Sequence, residues 1–431
     1  MPKGLERWEL LNASLGKLSA SDPLALHDAL ALVYAEIAAT PEPLLQDYAR
    51  FTEDDLTEGL VQRSGNVEKG DMAVRVSSDQ GAILLDAGRL LRAIEQNAVE
   101  CSHFIESDRG EDLEDAWRTT NGRHYVIPRM TALAGIDGKP FLRRALLHYR
   151  ILPTTIDGFA VRLHRSTLAA DTNWATKERV AYERSFGAAL FPGLCTELAY
   201  PEADTFTVTG LTGCDAITCI DTHLAEAKSG ECCAVVWGEL TMPEANLRHL
   251  RGTLADRALD GCGPLRYLVA GSWHSEIDGA MRNACHVLDG YGEPIFSIYK
   301  WAKFVVDGKW EAIVPGDEIH ILIGEDELAI VAICRDFLQA TTDPPYGKLD
   351  VDLAFVPSMI LDVTKQETMD AHKPTANQMR VRYGTRTLVV AQPARAGEGG
   401  VGQVLAFPSR PLEAEVEIVS KAWLRCGLAN P

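Results

Sequence analysis

Three polar side chains of complementary chemistry each follow an apolar run. Glu239 comes after Val235-Val-Trp-Gly, Lys300 after Ile295-Phe-Ser-Ile-Tyr, and Cys334 after Ile330-Val-Ala-Ile. A thiol becomes a strong nucleophile once a base takes its proton, and a carboxylate can be that base. An ammonium can then steady the oxyanion that forms when the sulfur attacks a carbonyl carbon. Each residue alone has a plainer reading. Charges commonly end strands by emerging into solvent, and free cysteine usually packs as a small hydrophobe. Three complementary groups at equivalent strand ends make a candidate site for cysteine-dependent catalysis. Two rivals stand close by: Lys303 shortly after Lys300, and Glu244, after Pro243, near Glu239.

The elements that must position these groups are legible in the same runs. Leu328 to Ile333 are all apolar and rich in β-branched residues, the pattern of a strand buried on both faces. A cysteine at the carboxyl end of such a strand sits where open α/β sheets expose reactive groups. Beyond residue 200 the chain alternates. Strands are expected over 205–211, 232–237, 267–271, 284–288, 294–299, 328–333, 353–357 and 387–391, with helices over 216–228, 246–259 and 377–385. This order predicts a layered α/β domain.

The N-terminal part reads as helical instead. Residues 21–39 start with a capping residue and an early proline, then space Leu and Val at helical intervals. Residues 40–48 repeat the start signal, and 86–96 form a third amphipathic candidate. Gly- and charge-rich breaks at 64–71 and 107–115 read as surface loops. Strands are expected over 148–153 and 158–165, and a helix over 176–186.

With 431 residues the chain exceeds the size at which a single core usually stops growing. Two domains are expected: an α-rich one over 1–195 and the α/β one over 196–431. Ten cysteines without C-x₂-C spacing point to free thiols, and no metal or cofactor is implied. No stretch approaches the roughly 20 apolar residues that span a bilayer, and the first residues show no secretory pattern, so a cytoplasmic protein is expected. The net charge of −19 disfavours general nucleic-acid affinity. Residues 121–190, with 11 basic and 5 acidic side chains, are the exception. There Arg143, Arg144, Arg150, Arg162 and Arg165 suit either a phosphate-bearing partner or a solvated and ion-paired surface. Gly397-Glu-Gly-Gly-Val-Gly402 has G-x-G-x-x-G spacing but lies between two strand-like runs, so it reads as a loop.

Several segments follow one another in a recognisable order. Ala234-Val-Val-Trp-Gly-Glu-Leu runs into its glutamate. Leu268-Val-Ala-Gly-Ser precedes Met281-Arg-Asn-Ala-Cys-His-Val-Leu-Asp-Gly-Tyr-Gly-Glu-Pro-Ile-Phe-Ser-Ile-Tyr-Lys300, a hairpin with an Asn and a turn glycine. Then come Trp310-Glu-Ala-Ile-Val-Pro-Gly316, Ala329-Ile-Val-Ala-Ile-Cys-Arg-Asp and Val356-Pro-Ser. Together they resemble the nitrilase superfamily of carbon–nitrogen hydrolases over about residues 200–425. The resemblance implies a four-layer αββα sandwich that often forms homo-oligomers. It implies Cys334 as nucleophile, Glu239 as general base and then acid, and Lys300 as the ammonium facing the oxyanion. Glu311 takes the place of the family's second, structural glutamate, holding lysine and substrate. The backbone N–H of Arg335 would add an oxyanion donor. The implied reaction is attack on an amide or nitrile carbon, loss of the amine and hydrolysis of a thioester.

Some positions depart from the family pattern. Gly238 stands where a proline usually precedes the glutamate. Phe337-Leu-Gln-Ala replaces Phe-Pro-Glu, and Gln392-Pro393 stands where an Asn is frequent. Arg335-Asp336 in place of Trp-Glu leans towards amides over nitriles. The alternative is a nitrilase-like scaffold or sensor module within a larger assembly, as in multidomain defence proteins, because about 190 N-terminal residues have no place in the family pattern.

Overall fold

The computed structural model describes residues 3–102, 113–129, 132–133, 139–165, 184–259, 265–324, 327–338, 344–361, 367–395, 400–408, 415–419 and 421–428. The chain forms two compact units, Met1–Ile156 and Asp157–Pro431.

The first unit is mostly helical. Its long helix Gln80–Ser102 buries Ile83, Leu84, Ala87, Leu90, Leu91 and Ile94 against Leu26, Leu30, Val33 and Ile37 of the helix Pro23–Ala38. That helix begins where Asp22, with its carboxylate on the Leu24 N–H at 3.0 Å, satisfies one of the free amides of the first turn. Residues 64–71, expected as a loop, fall mainly in a helix, Leu60–Glu68. Ser64 there is buried and its hydroxyl accepts from Asn97, so tertiary packing overrides the Gly and charge content. A hairpin of His124–Pro128 and Tyr149–Pro153 completes the unit, in agreement with the strand expected over 148–153. Two of the basic residues considered for a phosphate partner, Arg144 and Arg150, are buried. Arg144 donates to the carbonyls of Ala49 and Phe51, which ties down the chain after the helix Glu42–Tyr48.

The second unit holds the layered α/β part, and it starts earlier than the 196 expected. The strand Phe159–Arg165 pairs in parallel with Glu318–Ile323, and Arg184–Ala189 pairs in parallel with Ala234–Trp237. Hydrogen bonds over such sequence distances leave no local trace, so the boundary falls at 156/157. Arg184–Ala189 also replaces the end of the helix expected over 176–186, whose other residues lie outside the described ones. Arg162 pairs with Glu318 at 2.8 Å on the neighbouring strand.

A 6-stranded sheet runs in the order Pro294–Tyr299, Ala280–Asp289, Tyr267–Ile277, Ala234–Trp237, Arg184–Ala189, Trp423–Leu428. A larger sheet contains, in order, Glu415–Val419, Gly402–Phe407, Arg386–Pro393, Leu353–Ile360, Leu328–Val331, Glu318–Ile323 and Phe159–Arg165. One apolar cluster joins them: Phe186, Val236, Val269 and Val287 from the first sheet meet Leu322, Ala329, Phe355, Leu388 and Val390 from the second. On the other face of the 6-stranded sheet, Val235, Trp237 and Leu268 pack against Ile220 and Leu224 of the helix Ala216–Ser229 and Leu250 and Leu254 of the helix Glu244–Leu259. The helix Glu367–Tyr383 packs on Arg386–Pro393 and Gly402–Phe407. Strands buried on both faces explain the unbroken apolar runs that the sequence displays. A smaller, 4-stranded sheet carries Val305–Val306, Lys309–Glu311, Thr205–Thr212 and Cys195–Ala199. No helix among the described residues is long and apolar enough to cross a membrane.

Candidate active site

The groups named from the strand ends lie together. Lys300, 1% exposed, follows the strand Pro294–Tyr299 directly, and its ammonium donates to Glu239 Oε1 at 2.6 Å and Glu311 Oε2 at 2.8 Å. Glu239 follows Ala234–Trp237 by two residues, and Glu311 ends the short strand Lys309–Glu311 of the small sheet. The rivals are placed elsewhere. Glu244 is exposed and pairs with Arg248, while Lys303 is half-buried and, among the described residues, is engaged only through its carbonyl, by the Arg335 guanidinium at 2.7 Å.

Cys334 lies at the turn out of the strand Leu328–Val331, where a 3₁₀ helix, Cys334–Phe337, begins. Its φ is +45°, in the left-handed region that non-glycine residues rarely adopt. Leu240, just after Glu239, has φ +55°. Such strained positions persist where the surrounding structure holds them, often at functional sites. The first internal bond of the 3₁₀ helix is from the Asp336 N–H to the Ile333 carbonyl. The N–H groups of the preceding Cys334 and Arg335 therefore belong to the open first turn. The Arg335 side chain turns away to the Lys303 carbonyl.

Ser358 connects Cys334 to Glu239. Its hydroxyl lies 3.3 Å from Cys334 Sγ, and its carbonyl accepts the Glu239 N–H at 3.0 Å. The thiol also reaches the Met359 carbonyl at 3.8 Å. This close crossing accounts for Gly238. A Cβ there would lie 2.7 Å from Gln392 Cβ and 3.2 Å from the Ser358 carbonyl, so a proline has no room. Gln392 has no part in the cluster; it clamps the Phe191 backbone, accepting at 2.8 Å and donating at 3.1 Å.

Hydrogen bonding separates the two glutamates. Glu311 resists protonation. Burial acts against the charge, but the Lys300 ammonium and the His274 hydrogen bond hold its carboxyl well below the usual range. Asn283 donates to both glutamates, at 3.0 Å to Glu239 Oε1 and 2.8 Å to Glu311 Oε1. Among the described residues Glu239 Oε2 accepts no hydrogen bond, which leaves it free to receive a proton. Burial and then the charge of Glu239 push the Cys334 thiol up to about 12, against the pull of Lys300. Both carboxylates keep Lys300 protonated despite its burial. The resting arrangement therefore keeps a neutral thiol, an ammonium and Glu311 as a carboxylate, with one Glu239 oxygen unbonded among the described residues.

Asn283, His274, Ser358 and Asp336 have roles that sequence reasoning left unassigned. Asn283 and His274 are cross-strand partners on Ala280–Asp289 and Tyr267–Ile277, so their side chains share a face. Polar residues at those positions of otherwise apolar strands were the available signal. Asp336 accepts the Ala302 N–H at 2.8 Å and the Trp301 N–H at 3.2 Å, joining the Cys334 turn to the chain just past Lys300. Burial raises its carboxyl well above the ordinary range. Among the described residues no group of three or more His, Cys, Asp and Glu is arranged to hold a metal ion. The nine described cysteines are all free.

No protein-family model matches the chain, and none of the curated proteins matches it. The chain is similar to solved structures of an amidase. One, an amidase from Nesterenkonia sp., is 15% identical and matches over 58% of this chain and 92% of that one, with a TM-score of 0.42. Another, a variant of the amidase from Nesterenkonia sp. AN1, carries the acetamide moiety of fluoroacetamide covalently at its active-site cysteine. It is 15% identical over 57% of this chain and 91% of that one, with a TM-score of 0.41. A further variant of that amidase is described as from the nitrilase superfamily and is 15% identical over 58% of this chain and 92% of that one, with a TM-score of 0.42.

Proposed function

We propose that the second unit is a nitrilase-like αββα sandwich that hydrolyses a non-peptide carbon–nitrogen bond, an amide in preference to a nitrile, through a thioester on Cys334. The observation that carries this is the buried cluster of Glu239, Lys300 and Glu311 beside a thiol at a strained strand-end turn. Glu239 Oε2 takes the thiol proton as sulfur attacks the amide carbon. The Lys300 ammonium and the Arg335 N–H stabilise the oxygen that becomes negative. Glu239 then gives its proton to the leaving nitrogen, the C–N bond breaks, and an amine departs from the thioester. Water attacks the thioester, Glu239 takes one of its protons, and the acid is released with the thiol restored.

The thiol is not ionised in advance, so base and nucleophile must act together. Both oxygens of Glu311 are occupied, which suits it to holding Lys300. A homo-oligomer belongs to the same proposal and is tested by light scattering.

Turnover of a panel of small amides, followed by released ammonia or amine, tests the assignment. Cys334→Ala and Glu239→Gln should each lower kcat/KM by about 10⁴-fold or more, the scale of removing a nucleophile or its base. Mass spectrometry of the wild-type protein should show a transient acyl adduct on Cys334. An active Cys334→Ala protein would sink the proposal. Iodoacetamide labelling of Cys334 that is fast and lost in Glu239→Gln favours the enzyme, whereas an inert Cys334 favours a scaffold module.

A further inference from the structure

Glu311 is held by donors on every side. Oε1 accepts from Asn283 Nδ2 at 2.8 Å and His274 Nε2 at 2.9 Å; Oε2 accepts from Lys300 Nζ at 2.8 Å and the Phe304 N–H at 3.0 Å. The other nitrogen of His274 is engaged as well. The backbone N–H of Val208 lies 2.8 Å from Nδ1, and the Thr207 hydroxyl 2.9 Å from it. A backbone N–H can only donate, so Nδ1 carries a lone pair. The proton of the neutral ring is therefore on Nε2 and points at Glu311. His274 is 5% exposed and stands on the strand Tyr267–Ile277 of the 6-stranded sheet, whereas the groups it joins, Glu311, Thr207 and Val208, belong to the small 4-stranded sheet.

We propose that His274 is a positioning residue: a neutral donor that completes the shell of Glu311, so that Glu311 clamps Lys300 and Glu239 alone is left to exchange protons. This rests on the reading of Glu239, Lys300 and Cys334 as the reacting groups. Its neutrality matters. The cluster already balances one ammonium against two carboxylates, and a second cation would stabilise Glu239 as a carboxylate and weaken it as a base. Without the His274 donor, Glu311 Oε1 would lose one of its two fixed bonds and the Lys300 ammonium would lose a rigid anchor. A displacement of that kind at a reacting centre costs rate even when the fold survives.

Two substitutions separate the ring's two halves. Gln at 274 can place an N–H donor where Nε2 stands, towards Glu311. Asn can place an acceptor where Nδ1 stands, towards Val208, and leaves Glu311 without its donor. The probe is iodoacetamide alkylation of Cys334 in the full chain, followed by mass spectrometry at pH 7. We expect His274→Asn to slow labelling by about tenfold or more and His274→Gln to recover most of that loss. The opposite order would mean that His274 serves only the strand Thr205–Thr212, and equal rates in both variants and wild type would mean that it positions nothing; either overturns the inference. Should His274→Asn fail to fold, His274→Ala is titrated with imidazole, which has donor and acceptor, and with pyridine, which has only the acceptor. Restored labelling by imidazole alone supports the proposal, and restoration by both or by neither overturns it. The failure of the underlying reading is distinct, because wild-type labelling would then be indifferent to Glu239→Gln.

Discussion

Cys334 combines a buried thiol with a backbone angle that an L-residue adopts at a cost. Holding a non-glycine residue in the left-handed region costs on the order of 1–2 kcal/mol, and the packing around the strand Leu328–Val331 must offset it. That angle marks the turn at which the strand gives way to the 3₁₀ helix Cys334–Phe337. Glycine would relieve that strain. We expect Cys334→Gly to be more stable than Cys334→Ala by about 1 kcal/mol, read from urea unfolding midpoints, although both lack the thiol. Equal midpoints would mean that the turn is relaxed. The same scale explains the division of labour between two residues of one type. Glu311 and Glu239 share Lys300 and Asn283, yet only Glu311 also receives His274 and the Phe304 N–H. A carboxylate with every lone pair taken is a fixture, and one with a free oxygen can take part in proton transfer.

The strands place these side chains because their carboxyl ends meet at a crossing between two sheets. The Glu239 N–H bonds to the Ser358 carbonyl, one element in each sheet, and Asp336 bridges the Cys334 turn to the chain after Lys300. Such a crossing tolerates little bulk, and Gly238 sits inside it. Gly238→Ala should destabilise the second unit by about 1–3 kcal/mol, the usual cost of overpacking, because the new methyl would press on Gln392 and Ser358. A urea titration checks this. An unchanged midpoint would mean that the sheets slide apart easily there. The positions of these strands were largely legible, since each is a short apolar run and a run of that kind reports local burial on both faces. Tyr267–Ile277 and Leu353–Ile360 run past their expected ends, because the added residues are polar or mixed and are held by pairing with a neighbour. Arg184–Ala189, with its serine, glycine and small residues, carries no local strand pattern at all. It is a strand because Ala234–Trp237 and Trp423–Leu428 flank it.

For the whole molecule, the buried thiols and phenols set a direction for its pH stability. Burial raises the Cys334 thiol to about 12 and the Cys232 thiol to about 11, from an ordinary value of 9.0, and raises Tyr48 to about 12. A group whose folded value is raised contributes stability that is complete below its unfolded value and is lost as pH climbs through the folded one. The thiols therefore cost stability from about pH 9 upward and the phenol from about pH 10, as the unfolded chain ionises while the folded protein keeps its protons. Urea midpoints should fall steadily between about pH 9 and 11, and Cys334→Ala should soften that fall. A flat profile over that range would contradict it.

Much of this organisation was written locally. Apolar runs named most strands, capping residues and helical spacing named the helices of the first unit, and the chemistry of Glu239, Lys300 and Cys334 stood out because each ends such a run. Tertiary structure decided the rest. It moved the boundary between units to 156/157, through a strand pair 156 residues apart. It buried Arg144 and Arg150, which composition alone left facing solvent or a partner. It also brought His274 and Asn283 onto Glu311. Local periodicity reports whether a residue is buried, whereas which buried groups touch depends on strand register and sheet stacking, set by contacts between segments far apart in the chain.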